Sequence, residues 1–249
     1  MASLRLGLDL GMTLIDTAEM YGEGAAEELV GDAIADRRGE VFLVSKVYPH
    51  NATLKGAIAA CDRSLRRLKT DYLDLYLLHW RGSVPLGETL DAFQTLKESG
   101  KIRDYGVSNF DVDDLEEAFQ LPGVDEIAID QVLYSLKHRG IEWDLLPRCR
   151  DVRIPIMAYS PIEHSPRGQK GMLENPVLKS VAARHDATPV QIALAWLLHQ
   201  RVVVIPKASN PDHVRENVGA IKIALTETDM AAIDRAFPRP RQKVPLEVR

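Results

Sequence analysis

Short apolar runs alternate with helix-like segments along almost the whole chain, and this alternation restricts the possible folds more than any other feature. Most runs are nearly continuous in Val, Ile and Leu, which is typical of strands buried on both faces in a parallel sheet covered by helices. The sequence therefore predicts an α/β fold, either a (β/α) barrel or a doubly wound sheet. The seven runs lie at 13–18, 41–47, 72–80, 105–110, 126–134, 153–161 and 202–208.

The segments between the runs have helical spacing and recognisable ends. Thr53 is a candidate N-cap for a helix over 54–68. Pro85 and Gly100 flank the segment 86–99, matching the usual start and stop signals of helices. The other predicted helices lie at 24–37, 112–120, 141–150, 176–185, 189–200, 211–221 and 227–237.

A barrel is the favoured architecture because the chain contains no complete glycine-rich dinucleotide turn. The nearest candidate, residues 22–27, has Glu27 where the motif requires its third glycine. The 249 residues suit one barrel domain, so we predict a single domain over 1–249. Only seven strand–helix alternations are visible, and residues 3–11 look like the end of a helix. We therefore predict an incomplete TIM-type (β/α)8 barrel that lacks the first strand.

Composition excludes several classes of protein. The 36 acidic and 31 basic residues give a net charge of −5, which argues against a nucleic-acid partner. No apolar run approaches the length of a membrane helix, and no signal peptide is visible. Cys61 and Cys149 form no metal or redox spacing, so we expect buried or idle thiols in a cytoplasmic protein. The scattered histidines and the missing nucleophile elbow argue against a metal-dependent or serine hydrolase.

Four polar residues lie where the first three predicted strands end. Asp16, Lys46 and His79 close successive runs, and Tyr21 follows in the first loop. Each also has a structural explanation, such as a turn cap or a buried histidine, but their presence together at one rim favours catalysis. A phenol with a pKa near 10 is a poor acid at neutral pH, and a neighbouring ammonium stabilises its anion. The set indicates reduction of a carbonyl group, with the phenol protonating oxygen as hydride reaches carbon.

Hydride transfer requires a cofactor, since no side chain donates hydride. Lys207, Ser209 and Asn210 precede a helix that starts at Pro211, and such a helix end binds anions; a plain N-cap with a surface lysine is the alternative. Tyr159 offers a ring on which a flat group can stack. Three polar residues at other strand ends either bind a carboxamide or satisfy backbone groups: Ser108, Asn109 and Gln131.

These residues together resemble the aldo-keto reductase family, in particular its bacterial members that act on small aldehydes, such as the methylglyoxal reductases. The resemblance covers almost the whole chain. The segments that carry it are LIDTAEMYGEGAAEELVGDAI (14–34), VSKV (44–47), DLYLLHW (74–80), GVSNF (106–110), Gln131, AYSP (158–161) and IPKASNPDHVREN (205–217).

The resemblance implies a (β/α)8 barrel that transfers hydride from NADPH to aldehydes and ketones. It assigns Tyr21 as general acid, Lys46 as the group that makes the phenol more acidic, Asp16 as partner of the lysine, and His79 as the residue that orients the carbonyl. Trp80 and Tyr48 would line the substrate pocket. The cofactor would contact Ser108, Asn109 and Gln131 at the carboxamide, Tyr159 at the nicotinamide, Ser160 and Pro161 at the pyrophosphate, and Lys207, Ser209, Asn210, Glu216 and Asn217 at the adenosine 2′-phosphate.

The sequence departs from the family pattern in two places. His213 stands where many members have an arginine that stacks on adenine; Lys207 still favours NADPH, with NADH as the alternative. The family's N-terminal hairpin, first strand and most of the first helix are not found in this sequence. We expect a monomeric reductase of small carbonyls without a metal. The competing hypothesis is a catalytically impaired barrel that binds nucleotide and regulates or scaffolds a partner.

An absent first strand would leave sheet edges open and expose apolar barrel interior. We therefore expect this chain to unfold at a lower temperature, and to bind NADPH more weakly, than a version extended by an N-terminal strand. Thermal unfolding and NADPH titration of the two forms test this. Equal values for both forms would contradict it.

Overall fold

The computed structural model describes residues 1–122, 126–163 and 166–249. The strands of this part of the chain are β1 (Leu14–Asp16), β2 (Phe42–Val47), β3 (Leu73–Leu78), β4 (Ile102–Ser108), β5 (Ile127–Leu133), β6 (Ile156–Tyr159) and β7 (Val203–Ile205). Its α-helices are α1 (Ala2–Asp9), α2 (Ala25–Ile34), α3 (Leu54–Leu68), α4 (Leu86–Glu98), α5 (Val112–Ala118), α6 (Leu145–Asp151), α7 (Pro166–Leu173), α8 (Pro176–Arg184), α9 (Pro189–His199), α10 (Pro211–Gly219) and α11 (Glu227–Ala236).

The strand order of the sheet follows the chain order from β1 to β7. The neighbouring pairs β1–β2, β2–β3, β3–β4 and β6–β7 are all parallel. Helices lie in the connections between successive strands. This is the connectivity of a (β/α) barrel. Six strands lie within predicted apolar runs, and β4 overlaps the run predicted at 105–110 but begins three residues earlier, at Ile102.

The chain folds as two compact units, Met1–Asp130 and Gln131–Arg249. In the first, β3 is buried at every residue, as its unbroken apolar sequence predicts. Its core includes packed aromatic rings: the Phe93 ring lies 5.5 Å, between ring centroids, from both Tyr76, edge to face, and Tyr105, at a tilt. Helix α3 begins at the predicted cap, where the Thr53 hydroxyl accepts a hydrogen bond from the Gly56 amide at 3.1 Å.

The second unit, Gln131–Arg249, has its own core around Trp196, which is fully buried in α9. The Tyr134 ring contacts it at 5.4 Å, and the Arg139 guanidinium lies 4.9 Å from the indole centroid. Helix α9 starts at a capping box in which Thr188 and Gln191 exchange side-chain and backbone hydrogen bonds.

In this unit one predicted helix is divided in two, and one helix was not predicted. The predicted helix over 141–150 is a 3-10 turn at Gly140–Glu142 followed by α6, because the Asp144 side chain accepts from the Leu145 amide and starts a separate helix there. Helix α7 was not predicted, since its sequence PRGQKGML contains few apolar residues and two glycines.

Both cysteines are buried, as expected, and burial raises the pKa of the Cys61 thiol to about 12. Among the described residues, no helix has both the length and the apolar character to cross a bilayer. The same residues contain no cluster of three His, Cys, Asp or Glu side chains arranged to hold a metal ion.

The register of the first three strands explains how the polar residues meet at one rim. Asp16, the last residue of β1, pairs with Val44, and Lys46, near the end of β2, pairs with Leu77. His79 follows the last residue of β3 directly. The carboxyl ends of parallel strands thus present the acid, the lysine and the histidine side by side.

Helices α2 and α3 lie close together at Gly31, where a Cβ atom would lie 2.6 Å from the Arg67 carbonyl oxygen. We expect Gly31→Ala to lower the free energy of unfolding by about 1–3 kcal/mol, because backbone atoms cannot move aside as a side chain can. Gly87, in the first turn of α4, is the matched control, since a Cβ there meets no atom within 4 Å. Gly87→Ala should leave stability unchanged or raise it by up to about 1 kcal/mol. Urea unfolding of both variants measures the difference, and equal stabilities would refute the close approach.

Candidate active site

Lys46 is the centre of the polar cluster in the first unit. Its side chain is completely buried, and its ammonium donates to Asp16 Oδ2 at 2.6 Å and to the Thr17 carbonyl oxygen at 2.9 Å. The third contact is with the Tyr21 hydroxyl oxygen at 3.4 Å. An ammonium has three N–H groups, so this arrangement gives each one an acceptor. Asp16 thereby compensates a charge whose burial alone would be strongly unfavourable.

A short 3-10 turn places Tyr21 over the lysine. The turn spans Tyr21–Gly24, and the Tyr21 amide donates to the Ala18 carbonyl at 3.1 Å. Glu23 and Gly24 follow with positive φ angles of 55° and 97°. The glycine at 24 accepts this geometry without strain and allows α2 to begin immediately afterwards. The Lys46 Nζ atom lies 5.0 Å from the centroid of the phenol ring.

His79 lies against the other side of the phenol. Its ring centroid is 5.7 Å from that of Tyr21, with the rings nearly perpendicular. The residue is buried, and its Nδ1 atom makes no hydrogen bond to the described residues. Burial, followed by the positive charge of Lys46, lowers the pKa of His79 to about 3. The imidazole is therefore neutral at physiological pH.

The rings of Trp80 and Tyr48 continue from His79 and form an aromatic wall. The Trp80 ring lies 4.9 Å from the imidazole, and the Tyr48 ring lies 5.7 Å from Trp80, edge to face. Both Tyr48 and Trp80 remain partly exposed. These are the two residues predicted to line a substrate pocket, and the structure brings them next to the predicted catalytic residues.

Ser108 is the last residue of β4 and Asn109 follows it, and both are buried. Asn109 has a positive φ of 59°. Its side-chain Nδ2 atom donates to the His79 carbonyl oxygen at 3.0 Å and to the Ser108 hydroxyl at 3.1 Å. The left-handed backbone at a non-glycine residue is a strained conformation that often marks a functional site. These contacts join the predicted carboxamide-binding residues to the segment that carries His79.

In the second unit, the predicted nicotinamide residues lie on β5 and β6. Gln131 is buried, and its side-chain nitrogen contacts the Met157 sulfur at 2.9 Å. The Tyr159 hydroxyl accepts from the Arg249 amide at 3.3 Å. Ser160 then takes a positive φ of 49° and turns the chain into buried Pro161.

The predicted phosphate-binding residues surround the start of α10. Asn210 caps this helix by accepting from the Asp212 amide at 3.0 Å, and Lys207 is exposed just before it. Exposed Ser209 and His213 lie on either side of the cap. A helix N-terminus beside a lysine is the arrangement that an anion requires, so these residues fit a nucleotide phosphate.

Two other residues predicted to hold that phosphate lie further along α10. The Glu216 carboxylate accepts from the Thr188 hydroxyl at 2.6 Å, and its backbone oxygen accepts from Gln191. Asn217 is buried. Glu216 thus also joins α10 to the start of α9, a structural role that its place in the sequence did not indicate.

Sequence reasoning missed two parts of the cluster around Lys46. The Thr17 carbonyl is a backbone acceptor, so the residue type at position 17 gives no indication that it accepts from Lys46. Glu19 is buried and accepts from the Tyr48 amide at 2.8 Å and the Asn51 side chain at 2.9 Å. Its position between Asp16 and Tyr21 was the available signal, because a carboxylate in a short apolar loop needs nearby donors.

Comparison with known proteins identifies the family of this chain. A family model described as the aldo/keto reductase family matches residues 1–237. The methylglyoxal reductase YeaE of Escherichia coli is 50% identical over 248 residues, which cover 99% of this chain and 87% of that protein. The glyoxal reductase of Bacillus subtilis is 35% identical over 93% of this chain and 81% of that protein.

A solved structure of an aldo-keto reductase from Klebsiella pneumoniae in complex with NADPH matches with a TM-score of 0.97 and 46% identity. The match covers 99% of this chain and 87% of that chain. It confirms the predicted TIM-type α/β fold and supports NADPH as the cofactor. The chain belongs to the aldo-keto reductase family and is an NADPH-dependent oxidoreductase that reduces carbonyl groups.

Proposed function

We propose that Tyr21 is the general acid of this reductase and that Asp16, Lys46 and His79 prepare it for proton transfer. The observation that carries the proposal is the buried Lys46 ammonium, which contacts the Tyr21 oxygen at 3.4 Å while paired with Asp16 at 2.6 Å. Since Lys46 donates to the phenol oxygen, the hydrogen of the hydroxyl is left to point away from the lysine. That hydrogen can reach a carbonyl oxygen in front of the ring.

The charge of Lys46 favours the proton transfer. When Tyr21 gives up its proton, the phenolate is left beside an ammonium, and such a pair attracts by about 4 kcal/mol at an effective dielectric near 20. Asp16 and the Thr17 carbonyl hold the ammonium in place before the reaction, so little reorganisation is needed.

His79 orients the substrate as a neutral hydrogen-bond donor. Its low pKa, about 3, keeps the ring uncharged, so it does not compete with Tyr21 as a proton source at neutral pH. A neutral imidazole still donates one N–H, which can polarise the carbonyl oxygen that Tyr21 protonates.

NADPH, when bound, supplies the hydride that the carbonyl carbon accepts. In the first unit, Ser108 and Asn109 are assigned to its carboxamide. In the second, Gln131 has the same role, Tyr159 provides the stacking ring, and Lys207 with the α10 N-terminus binds phosphate. Ser160 and Pro161 follow the stacking ring, and Ser209, Asn210, His213, Glu216 and Asn217 complete the proposed contacts.

We assign small 2-oxoaldehydes as the substrates. The similar proteins from E. coli and B. subtilis are named as methylglyoxal and glyoxal reductases. The aromatic wall of Tyr48 and Trp80 suits a small planar carbonyl compound placed against His79. The competing hypothesis of an impaired nucleotide-binding module is not favoured, because the chain belongs to a reductase family and its similar proteins are named as reductases.

Several expectations from the sequence stay predictions. They are a cytoplasmic location, a monomeric state, the absence of a nucleic-acid partner, and a single domain over 1–249.

Tyr21→Phe removes the acidic hydroxyl and keeps the ring. We expect kcat for methylglyoxal to fall by about 10²–10⁴-fold, with NADPH binding retained, because general acid catalysis contributes that much. Absorbance of the reduced nicotinamide measures turnover, and fluorescence titration measures cofactor binding. Tyr72→Phe is the matched control: Tyr72 precedes β3 at the end opposite His79 and stacks beneath Arg38 and Arg103. A Tyr21→Phe enzyme within about tenfold of wild-type kcat would contradict the assignment.

His79 should show no protonation between about pH 5 and pH 8, where an ordinary histidine titrates. The side-chain NMR signal missing from His79→Gln identifies the residue, and its chemical shift should stay constant across that range. Because the pKa in the folded protein is lowered to about 3, the unfolded chain binds the extra proton first as pH falls below about 6.5. His79 therefore makes the unfolding free energy of the wild type decrease as the pH falls, and the His79→Gln variant should lack this contribution. A midpoint near 6.5 for the assigned signal would be incompatible with this account.

A further inference from the structure

Glu19 is a buried carboxylate that the reaction itself does not use. Its side chain is 6% exposed. Oε1 accepts from the Tyr48 amide at 2.8 Å and from the Asn51 side chain at 2.9 Å, while Oε2 faces Arg63 at 3.3 Å. Every donor comes from the segment after β2 or from α3, so the carboxylate ties the loop after β1 to the next connection.

The main chain strengthens this tie. The Glu19 amide donates to the Lys46 carbonyl oxygen at 3.4 Å, and the Thr17 amide donates to Val44 at 2.9 Å. The loop that carries Asp16 and Tyr21 is thus held against β2 by its backbone as well as by the Glu19 side chain.

Glu19 connects the two ends of one row of rings. Tyr21, His79, Trp80 and Tyr48 follow one another at centroid distances of 5.7, 4.9 and 5.7 Å. Tyr21 is two residues from Glu19 in the chain, and the backbone amide of Tyr48 donates a hydrogen bond to the Glu19 carboxylate. The spacing between the acid and the far ring of the wall therefore depends on this carboxylate.

We propose that Glu19 is a positioning residue that fixes the width of the carbonyl pocket and so selects small aldehydes over bulky ones. The proposal rests on the proposed function, in which Tyr21 is the acid and Tyr48 lines the pocket. Without the carboxylate, Tyr48 and its loop can move away from Trp80 and admit a larger group.

Glu19→Gln tests the proposal with almost no change in side-chain volume. A glutamine oxygen can still accept from the Tyr48 amide and from Asn51, but the substitution removes the negative charge that strengthens both hydrogen bonds and turns an NH2 group toward Arg63, so the loop is held less firmly. We expect KM for methylglyoxal to rise by about tenfold, KM for a bulky aromatic aldehyde to fall or stay constant, and NADPH affinity to stay within about twofold. The ratio of kcat/KM for the two aldehydes should shift by about tenfold or more toward the bulky one.

Two control variants separate positioning from general destabilisation. Glu27 is a similarly buried carboxylate whose hydrogen bonds in the described part of the chain come from Ser45 and Arg67, on β2 and α3, and not from the segment around Tyr48. Glu27→Gln should lower the unfolding temperature but keep the selectivity ratio within about twofold. Arg63→Gln removes only the half-exposed partner of Glu19, and it should also keep the ratio.

Asn51→Ala provides a second test if Glu19→Gln does not fold. It removes one donor to Oε1 and should move the selectivity ratio in the same direction, by about threefold. An unchanged ratio in Glu19→Gln with a loss of stability like that of Glu27→Gln would overturn the proposal, as would an unchanged ratio in Asn51→Ala. Failure of the proposed function is distinct from this, since it would appear as a wild-type chain inactive on both aldehydes or as an active Tyr21→Phe.

Discussion

The buried ion pair between Lys46 and Asp16 is the interaction on which the site depends. A lysine with no solvent exposure is stable only when its charge is compensated and its N–H groups are bonded, and Asp16 and the Thr17 carbonyl meet both needs. This requirement fixes the relative positions of the ends of β1 and β2. Tyr21 then lies over the ammonium because the turn after Ala18 returns the chain toward β2. The same ion pair therefore holds the ends of β1 and β2 together and places the ammonium beside the phenol that the proposed reaction uses.

The sequence predicted most of the fold because its signals are local. Continuous apolar runs such as the one around β3 indicate buried parallel strands. Thr53 indicates the start of α3 because its own side chain caps the helix. The grouping of the proposed catalytic residues was also predictable, since parallel strands bring Asp16, Lys46 and His79 to one rim without any knowledge of loop geometry. The family resemblance was needed to name NADPH as the cofactor and to assign residues to each part of it.

What the sequence did not predict depends on contacts between distant segments. Glu19 looks like an ordinary polar loop residue until the Tyr48 amide is found beside it, 29 positions away along the chain. Helix α7 contains few apolar residues and two glycines, so its sequence resembles that of a polar loop. The neutral state of His79 follows from burial against Lys46, and burial at a strand end is a property of the folded chain.

The hydrogen-bond donors and acceptors around Tyr21 explain why the proposed reaction uses the Tyr21 proton and not a proton of Lys46 or His79. Lys46 uses its N–H groups on Asp16, the Thr17 carbonyl and the phenol oxygen, so its own protons are engaged. His79 is neutral and has no acidic proton to give. In the proposed reaction, the hydroxyl hydrogen of Tyr21 is the proton that is transferred, and the Lys46 ammonium lies beside the oxygen that this proton leaves. The proposed direction of proton transfer therefore follows from which groups are already hydrogen-bonded before any substrate enters.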